Sequence, residues 1–275
     1  MKKIKFCLVA SALLVGIASC KKNQQVAGLA QEKQKVPQDV LASISKLGFS
    51  TDRVIAKEGG YLVEGDIFLT KENLGQQSQS PNLRIADVEQ YRTTNVVKVP
   101  RVVTVSVSNL TDPYSVATDS AIARYNALNL KLKFRRVDSG GDIDIVGFDE
   151  PADGDGYITL GSSGFPTANG AAFKHIQMNT NQDAYGPNPD ILYLTTVVTH
   201  EMGHCIGFRH TDYMNRAYSC GGSRVNEGAA DVGAIRIPGT PSKIDANSWM
   251  LACSNGGNRV FNANDIIALK YLYKK

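Results

Sequence analysis

The stretch with the clearest chemistry is His200-Glu201-Met202-Gly203-His204-Cys205-Ile206-Gly207-Phe208-Arg209-His210, which holds three of the four histidines in the 275 residues. Residues four apart on an α-helix share a face one turn apart, so His200 and His204 can aim both imidazoles at one ion. Glu201 stands beside the first of them and can reach a water on that ion without ligating it. Gly207 tolerates left-handed backbone angles and lets the chain leave the helix sharply, after which His210 can return as a third ligand. Three neutral nitrogens suit borderline-soft Zn²⁺ and leave a position open for water, as catalytic rather than structural zinc sites do. Such a metal lowers the pKa of its water to about 7. Glu201 is then the base for attack on a peptide carbonyl and the acid toward the leaving amine. With this composition, the accidental frequency of the pattern is on the order of a few in a million.

The elements that must position this stretch can be read in outline. Asp190 is a candidate N-cap for a helix from about Ile191 through the motif, although Thr195-Thr196-Val197-Val198-Thr199 favours strand by propensity. Upstream, Val97–Val107, Leu132–Val137, Ile143–Phe148 and Ala172–Met178 are expected strands. Asp112-Pro113 is a good helix start, leading into an amphipathic run from Ala117 to Leu130. The Asp149–Gly156 loop is rich in Gly and Asp, but lacks the full EF-hand spacing and is only a weak calcium candidate. Before these, Val36–Leu47 has helical spacing closed by Gly48, Tyr61–Leu69 is one strand candidate, and Gln76–Pro81 is a polar, turn-rich linker.

The first residues have the form of an export signal. Lys2, Lys3 and Lys5 precede an apolar run, Phe6–Ile17, too short to span a bilayer. The run ends in Ile17-Ala18-Ser19-Cys20, a pattern that resembles the lipobox of bacterial lipoproteins. Acylation of Cys20 would then anchor the chain through lipid alone. Of the remaining cysteines, Cys205 follows a candidate ligand on a helix and is expected to face the core. That leaves Cys220–Cys253 as the favoured disulfide, although sequence does not fix the connectivity. The formal charge of +4 falls to +1 without the three leading lysines, which gives no reason to expect nucleic acid as a partner.

The full motif, with Gly207 and His210, resembles the metzincin clan of zinc metallopeptidases. Within that clan it is similar to the bacterial dual-action HEIGH metallopeptidases of the protease B type, over roughly Val96–Lys275. The resemblance implies an α+β fold, with a twisted mixed sheet, an active-site helix and a C-terminal helix, the last looking like Asn262–Tyr273. It implies one catalytic Zn²⁺ held by His200, His204 and His210, with Glu201 as the catalytic residue. It also implies a Met-turn at Ser248-Trp249-Met250-Leu251, with Met250 beneath the metal. The stretch from Gly164-Phe165-Pro166 to Ile176-Gln177-Met178-Asn179 falls where a substrate-binding edge strand belongs, able to pair with an extended peptide. Two features depart from matrixins. About forty residues separate His210 from Met250, and no matrixin-like cysteine switch precedes the catalytic part.

Other residues carry weaker readings. Asp212 either orients a ligand imidazole or holds a turn. Tyr213 or Tyr218 either meets an oxyanion or packs. Arg209 reads as an ion-pair former and His175 as an ordinary strand residue. The expected organisation is a lipoprotein signal at 1–19, an anchor, tether and small N-terminal region (a possible pro-segment) at 20–95, and the catalytic domain at 96–275. The expected activity is hydrolysis of proteins or peptides outside the inner membrane, on an outer-membrane lipoprotein facing the periplasm or the surface. The other reading is a surface binding lipoprotein that keeps the shape without turnover, and an intact Glu201 argues against it.

Overall fold

The computed structural model describes residues 35–75, 90–224, 226, 234–241 and 243–274. The expected signal, the Cys20 anchor, its tether and the Gln76–Pro81 linker lie outside them.

The described chain opens with helix α1, Gln38–Lys46, whose Ile44 is buried together with Leu47 just beyond the helix end. Strands β1 (Ile55–Lys57), β2 (Gly60–Val63) and β3 (Ile67–Thr70) form an antiparallel sheet in that order. Short helix α2, Lys71–Leu74, follows, capped by Thr70. Ile44, Leu47 and Phe49 pack with Val63, Ile67 and Leu69 as a small core. The single strand expected over Tyr61–Leu69 is in fact a hairpin. Val63 pairs with Ile67, and Glu64 and Gly65 between them take left-handed φ values of 56° and 90°. An alternating apolar pattern reads the same on both arms of so tight a turn, so periodicity alone missed it.

Strand β4, Tyr91–Arg92, comes next, followed by β5, Arg101–Ser108, which starts after Pro100 rather than at Val97. Helix α3, Asp112–Ala127, has Pro113 in its first turn. Strands β6 (Leu132–Arg136), β7 (Ile143–Phe148), β8 (Gly161–Ser162) and β9 (His175–Asn179) complete a sheet of order β6-β5-β7-β9-β8. All pairs in it are parallel except β8 with β9. Strand β9 is thus interior, and the edge beside the motif belongs to β8 and Ser163 rather than to the Ile176–Asn179 stretch. The reason is that residues 160–163 fold back antiparallel onto Met178 and Gln177.

After the short helix α4 (Gln182–Tyr185) comes α5 (Ile191–Ile206), buried from Leu194 onward and packed against α3. Helix α6 (Ala217–Cys220), strand β10 (Ile235–Arg236, antiparallel to β4) and helix α7 (Ala263–Tyr273) complete the chain. Asn262 and Asp265 cap α7 reciprocally, and the Tyr273 hydroxyl donates to the carbonyl of Ile206, tying α7 to the end of α5. The mixed sheet flanked by helices is the α+β architecture the motif implied. Gln90 and Tyr91, on the N-terminal side of 95/96, bond to the body built around α5. Gln90 Nε2 donates to Ser248 Oγ at 3.1 Å, and Arg209 N donates to Tyr91 O at 2.9 Å. Among the described residues, 35–75 and the rest form one compact unit.

Candidate metal centre

Helix α5 forms although its middle is β-branched. Asp190 caps its start, accepting from Tyr193 N at 2.8 Å. Thr195, Thr196 and Thr199 return their hydroxyls to the carbonyls four residues back, at 2.6, 3.1 and 2.6 Å, so their polar atoms are satisfied inside the helix. The helix ends at Gly207, with φ of 115°, where Phe208 N–H donates to Gly203 O and Gly207 N–H to His204 O. A side chain at 207 would be strained by that φ and would also approach Asn95 O at 3.0 Å. The turn returns the chain so that His210 faces His200 and His204.

Two of the three rings are fixed from behind. His200 Nδ1 lies 2.9 Å from Trp249 O and His204 Nδ1 lies 2.8 Å from Phe208 O. Those carbonyls require N–H at Nδ1 and leave lone pairs at Nε2. Below the rings runs the turn from Ser248 to Leu251, with Met250 buried beneath α5. Thr211 N donates to Met250 O at 2.8 Å, and Thr211 Oγ1 meets Ser248 Oγ at 2.6 Å. Gly203 is what lets the turn approach. A Cβ there would stand 2.3 Å from Trp249 Cη2 and 2.7 Å from Met250 Sδ.

A fourth group, which sequence reading missed, completes the centre. Asp66, at the tip of the β2–β3 hairpin, places Oδ2 at 3.0 Å from His210 Nε2, 3.4 Å from His200 Nε2 and 3.9 Å from His204 Nε2. The ligand atoms of Asp66, His200, His204 and His210 all lie within 4.8 Å of one another, the one such group among the described residues. Burial opposes charge on Asp66, but its close contacts with the three histidines, His210 first, outweigh it and hold the carboxyl well below its usual range. Burial pushes His204 the other way, down to about 4, toward the neutral ring.

These observations bear on whether zinc fits. Tetrahedral zinc at 2.0–2.1 Å from its ligands sets them about 3.3 Å from each other. His204 Nε2 and His210 Nε2, 3.2 Å apart, match that, as do the first two Asp66 separations. Facing lone pairs at such a distance repel unless a cation lies between them, and His200 Nε2 is buried with no hydrogen-bond partner. Three buried imidazoles converging with a partly buried carboxylate fit Zn²⁺.

Glu201 lies beside this group on α5. Its Oε2 accepts from Ser163 Oγ at 2.7 Å, and the same hydroxyl lies 3.0 Å from the Glu201 carbonyl. Burial first, and the negative charge of Asp66 second, push the Glu201 carboxyl well above the ordinary range. Gly161, one strand residue away, leaves room for it, since a Cβ there would lie 3.1 Å from Glu201 Cγ.

The remaining expectations resolve locally. Asp212 accepts from Ala252 N at 2.9 Å and from Ser219 Oγ at 2.6 Å. Tyr213 packs edge-on against Tyr91, with ring centroids 4.3 Å apart, and Tyr218 is exposed. Arg209 is wholly buried, 3.7 Å from Glu64 and stacked near Phe49, Phe165 and Tyr213. His175 is exposed at the start of β9. Cys220 and Cys253 are joined by a disulfide, and Cys205 is free and buried. In the Asp149–Gly156 loop the Asp153 carboxylate is engaged by the N–H groups of Asp155 and Tyr157 and by Arg53, and Glu150 pairs with Lys57.

The dual-action HEIGH metallo-peptidase family matches this chain over residues 61–273. The chain belongs to that family. It is a zinc metallopeptidase, and peptides or proteins are its substrates. No curated relative matches it in sequence. Among solved structures, two of myroilysin are similar, at 15% identity (66% of this chain, 97% of that one, TM-score 0.43) and 16% identity (66% and 87%, TM-score 0.40). High choriolytic enzyme 1, a hatching enzyme zinc-protease from the medaka fish Oryzias latipes, is similar at 13% identity (62% and 88%, TM-score 0.37).

Proposed function

We propose that this metallopeptidase is an endopeptidase in which His200, His204 and His210 hold the zinc, Met250 floors it, and Glu201 moves the proton of hydrolysis. The observation that carries the reading is the convergence of the His200, His204 and His210 ring nitrogens in one buried group, with Glu201 next to His200 on α5. When bound, zinc supplies Lewis acidity toward water and a carbonyl. Glu201, held by Ser163, takes the proton of the attacking water and returns it to the departing amine. Its raised proton affinity suits both halves of that exchange. The sheet edge formed by β8 and Ser163 can take an extended peptide as an added strand.

The same proposal sets the enzyme outside the inner membrane, anchored by lipid on Cys20. Its support is the run from Lys2 to Cys20, with the lipobox-like Ile17-Ala18-Ser19-Cys20. Among the described residues, no helix is long and apolar enough to cross a membrane. A disulfide accords with an oxidising compartment.

Because Asp66 stands where a water would need to be, the test uses the Asp66→Ala background. A diverse peptide library is incubated with that protein and with Asp66→Ala/Glu201→Ala, and zinc is measured in both. Cleavage should fall at least about 100-fold with Glu201 removed while zinc stays at one per chain. Undiminished cleavage would remove Glu201 from its role. Zinc retention without cleavage in either protein would favour the binding lipoprotein.

A further inference from the structure

The β2–β3 hairpin does more than pack against the catalytic body. We infer that it is an inhibitory latch: Asp66 closes the fourth position of the metal centre while the adjoining backbone fills the slot of a substrate strand, so that the chain is latent until the hairpin withdraws. The inference rests on the zinc peptidase reading above.

Two independent contacts of the hairpin carry it. The first is the carboxylate, with Oδ2 between 3.0 and 3.9 Å from all three Nε2 atoms. Three imidazoles alone leave a catalytic zinc open to water, whereas a fourth protein ligand makes the closed arrangement of structural sites. The second is backbone pairing at the sheet edge. Ser163 N–H donates to Asp66 O at 2.9 Å and Phe68 N–H donates to Ser163 O at 2.7 Å, with Ile67 bridged to Ser163 in parallel. Ser163 is also the residue whose hydroxyl holds Glu201. A peptide that must add a strand at this edge therefore meets one already there. The hairpin is not itself presented for cleavage, because it offers the metal a side-chain carboxylate and no peptide carbonyl.

The latch is held down by contacts of a kind suited to release. Glu64, next but one to Asp66, lies 3.7 Å from Arg209, the neighbour of His210, and both are buried. Phe49 stacks on Phe165, which in turn meets His204 edge-on at 5.5 Å. On the rim, Lys57 pairs with Glu150, and Arg53 pairs with Asp153 while lying 3.6 Å above the ring of Tyr157. Every cation of the rim pairs comes from the N-terminal region and every anion from the catalytic body. Partly exposed pairs of this sort position more than they stabilise.

The test loads the purified chain with Co²⁺ in place of zinc and follows its visible spectrum on adding acetohydroxamate, a small chelating anion that needs an open metal position. We expect no change for the wild type. Asp66→Ala should bind acetohydroxamate, as should Asp66→Asn, which keeps the side-chain volume should the alanine variant fail to fold. Peptide turnover by the zinc forms should rise at least tenfold in these variants, with mass spectrometry showing the chain uncut. Acetohydroxamate perturbing the wild type as readily as the variants would overturn the latch and leave the peptidase reading standing. Metal opened by the substitutions, with no peptide cleaved by any form, would support the closure and sink the peptidase reading instead.

Discussion

Gly203 is the residue at which the packing of the centre can be tested most sharply. It lies inside α5, where alanine would ordinarily be preferred by about 1 kcal/mol. Here the added methyl would stand 2.3 and 2.4 Å from two ring carbons of Trp249 and 2.7 Å from Met250 Sδ, more than 1 Å inside ordinary contact distance. Trp249 cannot turn away, because Tyr125, Phe208 and Phe261 meet its ring edge-on at centroid distances of 5.8, 5.3 and 5.0 Å. The strain must therefore move the turn itself, whose Trp249 carbonyl fixes His200 Nδ1 at 2.9 Å. Overpacking of a rigid site costs up to about 3 kcal/mol, and subtracting the helical preference leaves a loss of about 2 kcal/mol for Gly203→Ala. For a body of this size that is a fall in Tm of roughly 4–8 °C. Displacing the group that orients a ligand ring should also weaken zinc at least about tenfold. Calorimetry and a zinc competition titration read the two effects, with Gly154→Ala as control, since a Cβ there meets nothing within 4 Å. A Gly203→Ala protein with wild-type Tm and zinc affinity would refute the claim that α5 and the Met250 turn are locked at this point.

Three other outcomes follow from the same contacts. Ser163→Ala removes the donor to Glu201 Oε2, a charge-assisted bond worth about 1.5–3 kcal/mol, so kcat/KM measured in the Asp66→Ala background should fall about tenfold or more with zinc content unchanged. Replacing both Cys220 and Cys253 by Ala opens a crosslink spanning 33 residues, which in the chain-entropy account costs about 3–4 kcal/mol, measurable by denaturant titration under oxidising conditions. Asp265, capping α7 under the Met250 turn, is pushed up to about 7 by burial, against the hydrogen bonds it accepts from Asn262, Trp249, Ser248 and Gln90. The folded state keeps its proton where the unfolded chain has already lost it. Its contribution to stability is therefore full below pH 4 and declines by about 1 kcal/mol per pH unit toward pH 7. Urea titrations from pH 4.5 to 7.5 should show that slope in the wild type and a shallower one in Asp265→Asn, and parallel profiles would count against it.

The legible part of this protein is the part governed by local spacing. Periodicity of four placed His200 and His204 on one face, and the same rule made Gly207 the exit and His210 the third side of the centre. Asp190 was readable as a helix start because an N-cap acts within three residues. The threonine run in α5 favours strand by propensity alone, and the structure shows why it is harmless to the helix, since each hydroxyl bonds one turn back within it. Gly203, by contrast, stands at a position that the spacing of the motif leaves unassigned. Its necessity comes from a tryptophan 46 positions away, which no window along the chain contains.

Asp66 marks the same limit more strongly. It meets His210 across a separation of 144 residues, and a single aspartate in an alternating apolar stretch has no spacing partner to announce it. The local signal that existed was conformational: Glu64-Gly65-Asp66 interrupts the strand with polar groups and a glycine, a pattern that admits left-handed angles and hence a hairpin. Reading it that way gives a tip but not its target. The target follows only from charge. Burial drives a ring such as His204 toward neutrality, and a neutral triad around a dication leaves a net positive pocket that a buried carboxylate completes. A chain that builds a three-histidine centre and also carries its own hairpin to that centre has two stable uses for one pocket. Which use prevails depends on whether residues 61–70 or a substrate strand holds the edge at Ser163.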